Sequence, residues 1–488
     1  MKRNIGVFGV VVLALAAAGC TTADEMLSYG ARDAGFSVVS ATVSEAAAKE
    51  VVWIQSAGEA RAAAERVRAI VHGKTIGADT AVQVALLNNK GLQAAYAEIG
   101  ISAAEAWQQT MLPNPTVSIG ILGIASPELG AYRAIEGMIA NNILALATRK
   151  RRVAIADTQF RKAQLAAALE TLRLAAATRR AWINAVAAFE ATVYLNQAQT
   201  AADAASELAR KLGETGALPK AGQAREHAFF AELTGQKAQA RLAARMAKEE
   251  LTRLMGLWGA DVDYYVPDVL PGLPGRPPLR NAVEREALFR RVDLQIAQLE
   301  LDAQAQQYGL TDATRYVTDL ELIAGVEVER EIEDGERRTV ATPQVELEFV
   351  IPIFDTGKAR RRKAELAYMR AANLLAEKAV NIRSEARSAY TAYRATYDIA
   401  RHYRNSVLPL RTAIEEESLL TYNGMITNTF ELLADTRAKI NTILLSAAAK
   451  RDFWLADANL DAAIYGGGGA ADAGGPETMV ADTGGGGH

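Results

Sequence analysis

The 488-residue sequence contains one cysteine, Cys20, which excludes an intramolecular disulfide and a cysteine metal cluster. Aromatic residues make up only 6%, and the four histidines stand alone, without metal-ligand spacing around them. No nucleophile motif or phosphate-cradling loop occurs, and the Gly-rich tail precedes no helix. Neither catalysis nor a cofactor is therefore expected. Beyond the N-terminus no run of about 18 apolar residues exists, so a membrane crossing, if there is one, must be a β-barrel. A formal net charge of -3 gives no reason to expect nucleic-acid binding.

Alanine supplies much of the 50% hydrophobic fraction, which suits long helices packed closely through small side chains. At the N-terminus, Lys2 and Arg3 precede an apolar run from Ile5 to Ala18, and Ala17, Ala18 and Gly19 lead into Cys20. Residues 1–19 read as a secretory signal peptide. The segment also resembles a bacterial lipoprotein signal, which implies a lipid on Cys20. Thr21 stands where an aspartate would retain such a protein at the inner membrane, and this implies the outer membrane.

Residues 20–79 form an N-terminal segment with a helix expected over Ser44 to Val71. A first structural unit follows over 80–266. A helix from Thr80 stops at Pro113-Asn114-Pro115, and strands are expected over Thr116 to Leu122 and over Ala131 to Leu146. Nothing breaks a helix from Arg149 to about Leu212, roughly 95 Å of rod at the usual rise. Gly213, Gly216 and Pro219 reverse the chain into a helix ending near Met255. Residues 267–280 are a stiff Pro-rich linker. Over 281–465 the plan repeats. A helix ends at Gly309, and strands cover Asp319 to Glu331 and Thr339 to Ile353 around Glu333-Asp334-Gly335. A rod from Lys358 to about Thr421 is kinked at Pro409, and a last helix follows the reversal at Asn423-Gly424. The tail, 466–488, is expected to be disordered. Leu92-Gln93 matches Leu294-Gln295 and Gly216 matches Gly424, so one helix-strand-strand-helix-helix unit is used twice. In the second rod Tyr368, Leu375, Ile382, Ala389, Thr396, Tyr403 and Leu410 recur every seventh residue. A parallel row of mostly alanine runs beside them, the pattern of a coiled-coil seam.

The stretch from Val345 to Ala367, VELEFVIPIFDTGKARRRKAELA, joins a two-faced strand to a long helix. Val345, Leu347, Phe349 and Ile351 fall on one side, and Glu346 and Glu348 on the other. Alone, this pattern fits a membrane barrel strand and a half-buried strand of a soluble sheet equally well.

With both units laid out, the sequence resembles the TolC-like outer-membrane efflux family. The resemblance rests on Pro352, Phe354, Asp355, Gly357 and Lys358 at the strand-to-helix junction. It rests also on LLNNKGLQAAYAEIGI, on Leu112 to Pro115 and on NGMITNTFELLADTR, and covers roughly Thr80 to Tyr465. It implies a mainly α fold with a small membrane β-barrel. In a homotrimer each chain gives four strands to one outer-membrane barrel, continued by an α-helical tunnel across the periplasm. It implies an exit duct opened at its periplasmic tip by an adaptor protein and an inner-membrane pump. The first unit departs from this pattern, with Leu144 to Thr148 in place of the Pro-Phe-Asp signature.

Carboxylates cannot face lipid cheaply, so Glu327, Glu329 and Glu331 on one strand, and Glu346 and Glu348 on the next, are expected to line a lumen. The resemblance places adaptor docking at the hairpin tips, at Gly216 and Leu218 and at Gly424, Thr427, Asn428 and Thr429. It makes Asp435 a candidate for the periplasmic gate. A competing reading is a lipid-anchored periplasmic coiled-coil scaffold or adaptor without a pore, for which a compact β-rich domain and one hairpin would be expected.

Overall fold

A computed structural model describes residues 29–124, 132–216, 218–280, 282–333, 336–424, 429–466 and 468. In chain order the elements are α1 (Ser37–Ala47), α2 (Ala57–Val71), α3 (Ala78–Asn88), α4 (Lys90–Thr110), β1 (Thr116–Leu122) and β2 (Ala134–Asn142). Next come α5 (Ile143–Glu214), α6 (Lys220–Met255), α7 (Val283–Arg290), α8 (Val292–Ala313), β3 (Leu320–Glu333) and β4 (Glu336–Phe349). The last are α9 (Lys358–His402), α10 (Leu408–Asn423) and α11 (Thr429–Tyr465). Residues 1–19, Cys20 and nearly all of the Gly-rich tail lie outside the described residues. Among the described residues, no helix is long and apolar enough to cross a membrane.

The chain divides into two compact units, and each sequence repeat contributes to both. The first unit (up to Val39, Tyr96–Ala167 and Leu294–Lys378) holds one antiparallel sheet in the order β1-β2-β3-β4. The strands of the second repeat have 14 residues each, against 7 and 9 in the first. Glu333 pairs with Glu336, which leaves a two-residue connection. Near the start of the described chain, Tyr29 donates to Asp157 at 2.9 Å and lies edge-on to Phe160, while Phe36 packs edge-on to Tyr96. Lys162 bonds Glu300 at 2.5 Å, tying α5 to α8 and holding the Glu300 carboxyl below its usual range.

The second unit (Ser40–Ala95, Ala168–Asp293 and Ala379 onward) is helical. Its main core gathers Val71, Val84 and Leu87 with Trp182, Val186, Leu251, Met255 and Tyr264. Helix α5 runs for 72 residues because it is alanine-rich, has no proline and keeps its one glycine, Gly213, for the last turn. The Pro-rich linker is bolted to this bundle. Glu190, 1% exposed, accepts the Leu270 N–H at 3.0 Å and the Lys450 ammonium at 2.5 Å. Trp454 donates to the Pro271 carbonyl, and Tyr397 to those of Pro274 and Gly275.

Several boundaries differ from the sequence reading, each for a local reason. The helix expected over Ser44 to Val71 is two helices. Ala48, at φ 50, leaves the right-handed region. Gln83 then both accepts from the Glu50 N–H and donates to the Glu50 carbonyl, and Gln93 treats Ile54 and Val52 likewise. Ser56 reopens the helix by accepting the Glu59 N–H, while the Glu59 carboxylate takes the Gln55 N–H, a variant of the capping box. The helix from Thr80 breaks at Asn89, and its counterpart in the second repeat breaks at Arg291. Helix α8 continues through Gly309 to Ala313, since an exposed glycine weakens a helix by about 1 kcal/mol without ending it.

Near Pro409 the rod passes through a π turn at Tyr403–Val407. A proline ring clashes with the carbonyl four residues earlier, here that of Asn405, and the wider turn relieves it. The extra residue shifts the buried row by one. Ile382 is buried and Tyr403 half-buried as the heptads require, but beyond the turn Arg411 and Ser418 are covered while Leu410 and Glu417 are exposed.

Asp457 and Asp461 sit one turn apart on α11, facing Arg179, Arg280 and Tyr393. Burial, and secondarily the Asp461 charge, push the Asp457 carboxyl up to about 6. A carboxyl raised on folding stabilises the protein below its unfolded value of 3.8 and loses that contribution as pH rises through about 6. Asp457→Asn is therefore expected to raise the melting temperature at pH 8, by about 1–2 kcal/mol in stability, and to change little at pH 4.

Candidate functional site

The strand register sorts the sheet into two faces. Glu348 lies opposite Glu321, which faces Asn142 on its other side, and Glu346 lies opposite Ile323, which faces Ala140. Glu327 lies between Thr342 and Glu136, Glu329 beside Val340, and Glu331 beside Arg338. All five acids read from the sequence thus share one face, joined by Glu136 and Glu321. Those two escaped the sequence reading because β2 was bounded loosely and Glu321 stands at a strand start. Its odd-numbered parity with Glu327, Glu329 and Glu331 was the available signal. Facing carboxylates repel, and part of the repulsion is relieved locally. Gln344 donates to Glu327 at 2.8 Å, and Arg133 pairs with Glu329 at 2.9 Å.

The opposite face carries Val117, Ile119, Ile121, Ile139, Leu322, Val345, Leu347 and Phe349, which are 40–75% exposed. So large an uncovered apolar face is not stable in water. The outer edges of β1 and β4 have no strand partner among the described residues.

The two strand-to-helix junctions are built differently. After β4, Ile353 N–H bonds the Ile351 carbonyl around Pro352, and the Phe354 side chain is fully exposed. The Asp355 carboxylate accepts the Gly357 N–H at 2.9 Å, and Gly357 adopts φ +72. A Cβ on Gly357 would meet the Arg315 carbonyl oxygen at 2.7 Å, while the Arg315 guanidinium donates to the Thr356 carbonyl. In the first repeat β2 passes into α5 with no intervening residue. Asn142 accepts the Ala145 N–H at 2.7 Å as a helix cap and donates to Asp319. One asparagine there replaces the Pro-Phe-Asp-x-Gly turn.

At the helical tips, Gly216 holds φ +73 with open space around its Cβ direction. Leu218 is 4% exposed, and its N–H bonds the Leu212 carbonyl. Its side chain is thus covered at the tip of the single chain. Gly424 caps α10 at φ -78, a conformation open to any residue. Thr427 and Asn428 lie outside the described residues, and Thr429 opens α11. Asp435 is half-buried and accepts the Ser418 hydroxyl. Around it, Arg437 bonds buried Glu226 at 2.6 Å and lies over the Phe229 ring, and Lys439 pairs with Glu415. His227 is hydrogen-bonded to Ser206 at 2.6 Å, joining α5 to α6.

The sheet is four-stranded, apolar on one face and acidic on the other, and its strands feed long helices. Solved structures carry the same fold. The CmeC outer membrane channel of Campylobacter jejuni superposes with a TM-score of 0.66 at 17% identity, over 80% of this chain and 86% of that one. The open-state MtrE outer membrane channel of Neisseria gonorrhoeae gives 0.63 at 15%, over 82% and 89%. The outer membrane protein VceC of Vibrio cholerae gives 0.63 at 15%, over 80% and 96%. At these identities the likeness is one of fold. No protein-family model matches the sequence, and neither does any curated protein.

Gly357 and Gly216 have nearly the same backbone angle, but only Gly357 is crowded. Gly216→Ala is expected to destabilise by about 1 kcal/mol, the conformational part alone. Gly357→Ala is expected to cost about 2–4 kcal/mol, because a backbone clash is added. Thermal melting of the two full-length variants side by side checks the difference.

Proposed function

We propose that this chain is the outer-membrane exit duct of a tripartite efflux or secretion system. Three copies give four strands each to one closed barrel, and their long helices continue it as a periplasmic tunnel. The observation that carries this reading is the uncovered apolar face on a sheet with two open edges. In a bilayer such a sheet is stable only when every edge is paired, and closure with further copies supplies that pairing. The opposite, acidic face then lines the lumen. A scaffold without a pore leaves the apolar face in water and gives the acids no role.

The duct is passive. A periplasmic adaptor engages the hairpin ends near Gly216 and Gly424, and an inner-membrane pump supplies the energy. Asp435, held by Ser418 and flanked by Arg437 and Lys439, belongs to the helical end that must rearrange for opening. A lipid on Cys20 adds a tether, since one acyl chain binds a membrane only weakly and the barrel does most of the anchoring.

Rings formed by Glu346 and Glu348 favour cations by concentrating them in the lumen. Glu346→Lys with Glu348→Lys is expected to move single-channel selectivity in planar bilayers from cations toward anions. Unchanged cation preference rejects the lumen assignment. Bulky side chains at Gly216 and Gly424 are expected to reduce recovery of the cognate adaptor in pull-downs at least tenfold, and undiminished recovery rejects docking there.

A further inference from the structure

The charge of this chain is unevenly placed. Residues 142–152, 308–319 and 350–363, the segments at three of the four joins between sheet and helices, contain ten Lys and Arg and only three Asp, a balance of +7 in a chain of net -3. The first two turns of α9 alone carry Lys358, Arg360, Arg361, Arg362 and Lys363. The structure draws these charges together on the last turns of α8. Arg151 donates to the Gly309 carbonyl at 3.1 Å from one side, and Arg361 pairs with Asp312 at 3.1 Å from the other. Arg315 stands next along the chain, over the Tyr316 ring.

Neutralisation within the chain is incomplete. Arg360, Arg361 and Arg362 have Asp355, Asp312 and Glu365. Arg151, Arg152 and Arg315 are held by backbone carbonyls, which satisfy their N–H groups without cancelling their charge. Lys150, Lys358 and Lys363 are exposed and pair with no carboxylate among the described residues. Directly between this cluster and the apolar face of the sheet lie exposed Leu146, Tyr316, Val317, Ile351, Ile353 and Phe354. The order from sheet to helix is therefore apolar face, then exposed aromatic and aliphatic side chains, then unneutralised cations. That sequence of surfaces matches hydrocarbon, interface and headgroup of a bilayer.

We propose that Lys150, Lys358 and Lys363, with the arginines around them, bind the phosphate headgroups of anionic phospholipid in the leaflet bordering the helical end of the sheet. The proposal rests on the lipid-facing reading of the sheet. It adds a lipid preference that this reading does not require. The belt fixes the depth at which the sheet sits, because cations drawn into hydrocarbon or pulled away from headgroups lose their partners.

The test uses the full-length protein purified in a neutral detergent, with native mass spectrometry counting bound phosphatidylglycerol and phosphatidylcholine. Retention of phosphatidylglycerol over phosphatidylcholine is expected, weakening as ionic strength rises. The triple variant Lys150→Gln, Lys358→Gln, Lys363→Gln is expected to bind phosphatidylglycerol about a hundredfold more weakly, roughly fivefold for each lysine. Its melting temperature without added lipid is expected to match the parent, since none of the three has an internal carboxylate partner among the described residues. Equal retention of both lipids by the parent, or an unchanged triple variant, overturns the proposal. Displacement of phosphatidylglycerol by an equal concentration of inorganic phosphate also overturns it, because the site then belongs to a free anion. Channel currents in purely zwitterionic bilayers separate the two levels. Currents there without any preference for phosphatidylglycerol sink the belt alone. No insertion and no current in either zwitterionic or phosphatidylglycerol-containing bilayers sink the lipid-facing sheet itself.

Discussion

The proposed membrane sheet depends on one constraint, that an unpaired strand edge cannot sit in hydrocarbon. Four strands are too few to close on themselves without leaving a gap, and their apolar side chains have no cover within the described chain. In the proposed duct the sheet is completed by other copies. The long helices are continuous with the strands through turns fixed by Asn142 in one repeat and by Asp355 and Gly357 in the other. In the proposed duct, closure of the sheet would thus also set where the helices leave it.

The duplicated plan lets the same joint be compared in two chemistries. In the first repeat, Asn88 and Asn89 side chains close the end of α6 by donating to the carbonyls of Leu254, Met255 and Gly256. In the second, the corresponding break places Arg291 near the end of α11. Its buried guanidinium is gripped by Asp293 in a two-pronged pair and by Glu385, and reaches the Ala463 carbonyl. Neutral amides do in one joint what an ion trio around a buried arginine does in the other. The ionic version is directional but vulnerable, since removing one partner leaves an uncompensated buried charge, at about 3–5 kcal/mol.

Much of this was legible in the sequence. Alternation placed β1 at its observed bounds and put five glutamates on one face. Glycine and proline punctuation located the first hairpin turn. What escaped was fixed by tertiary partners. At Asn89 the break carries a local cap, since its side chain accepts the Leu92 N–H, while its amide and that of Asn88 reach the end of α6. Nothing in the local composition at Arg291 breaks a helix, and there the break is made by a side chain reaching to another helix's end. The split between α1 and α2 depends on Gln83 and Gln93 holding an extended segment, although the Ser56-Ala57-Gly58-Glu59 cap was readable. Leu218 looked available because it neighbours a turn, and only the packing shows it to be covered. The belt of cations was visible as a run after Gly357, but its second half, Lys150 and Arg151, joins it only through α8.

The π turn before Pro409 has a mechanical meaning. Each added residue rotates the downstream helix by about 100°, so the segment from Leu408 onward is phased independently of the helix before it. Removing one residue between Tyr403 and Val407 would restore the heptads and swing Ser418 away from Asp435. The hydroxyl that holds this carboxylate is thus aimed by a backbone irregularity more than two turns earlier, and the lower helix can be retuned without altering a side chain in the seam above.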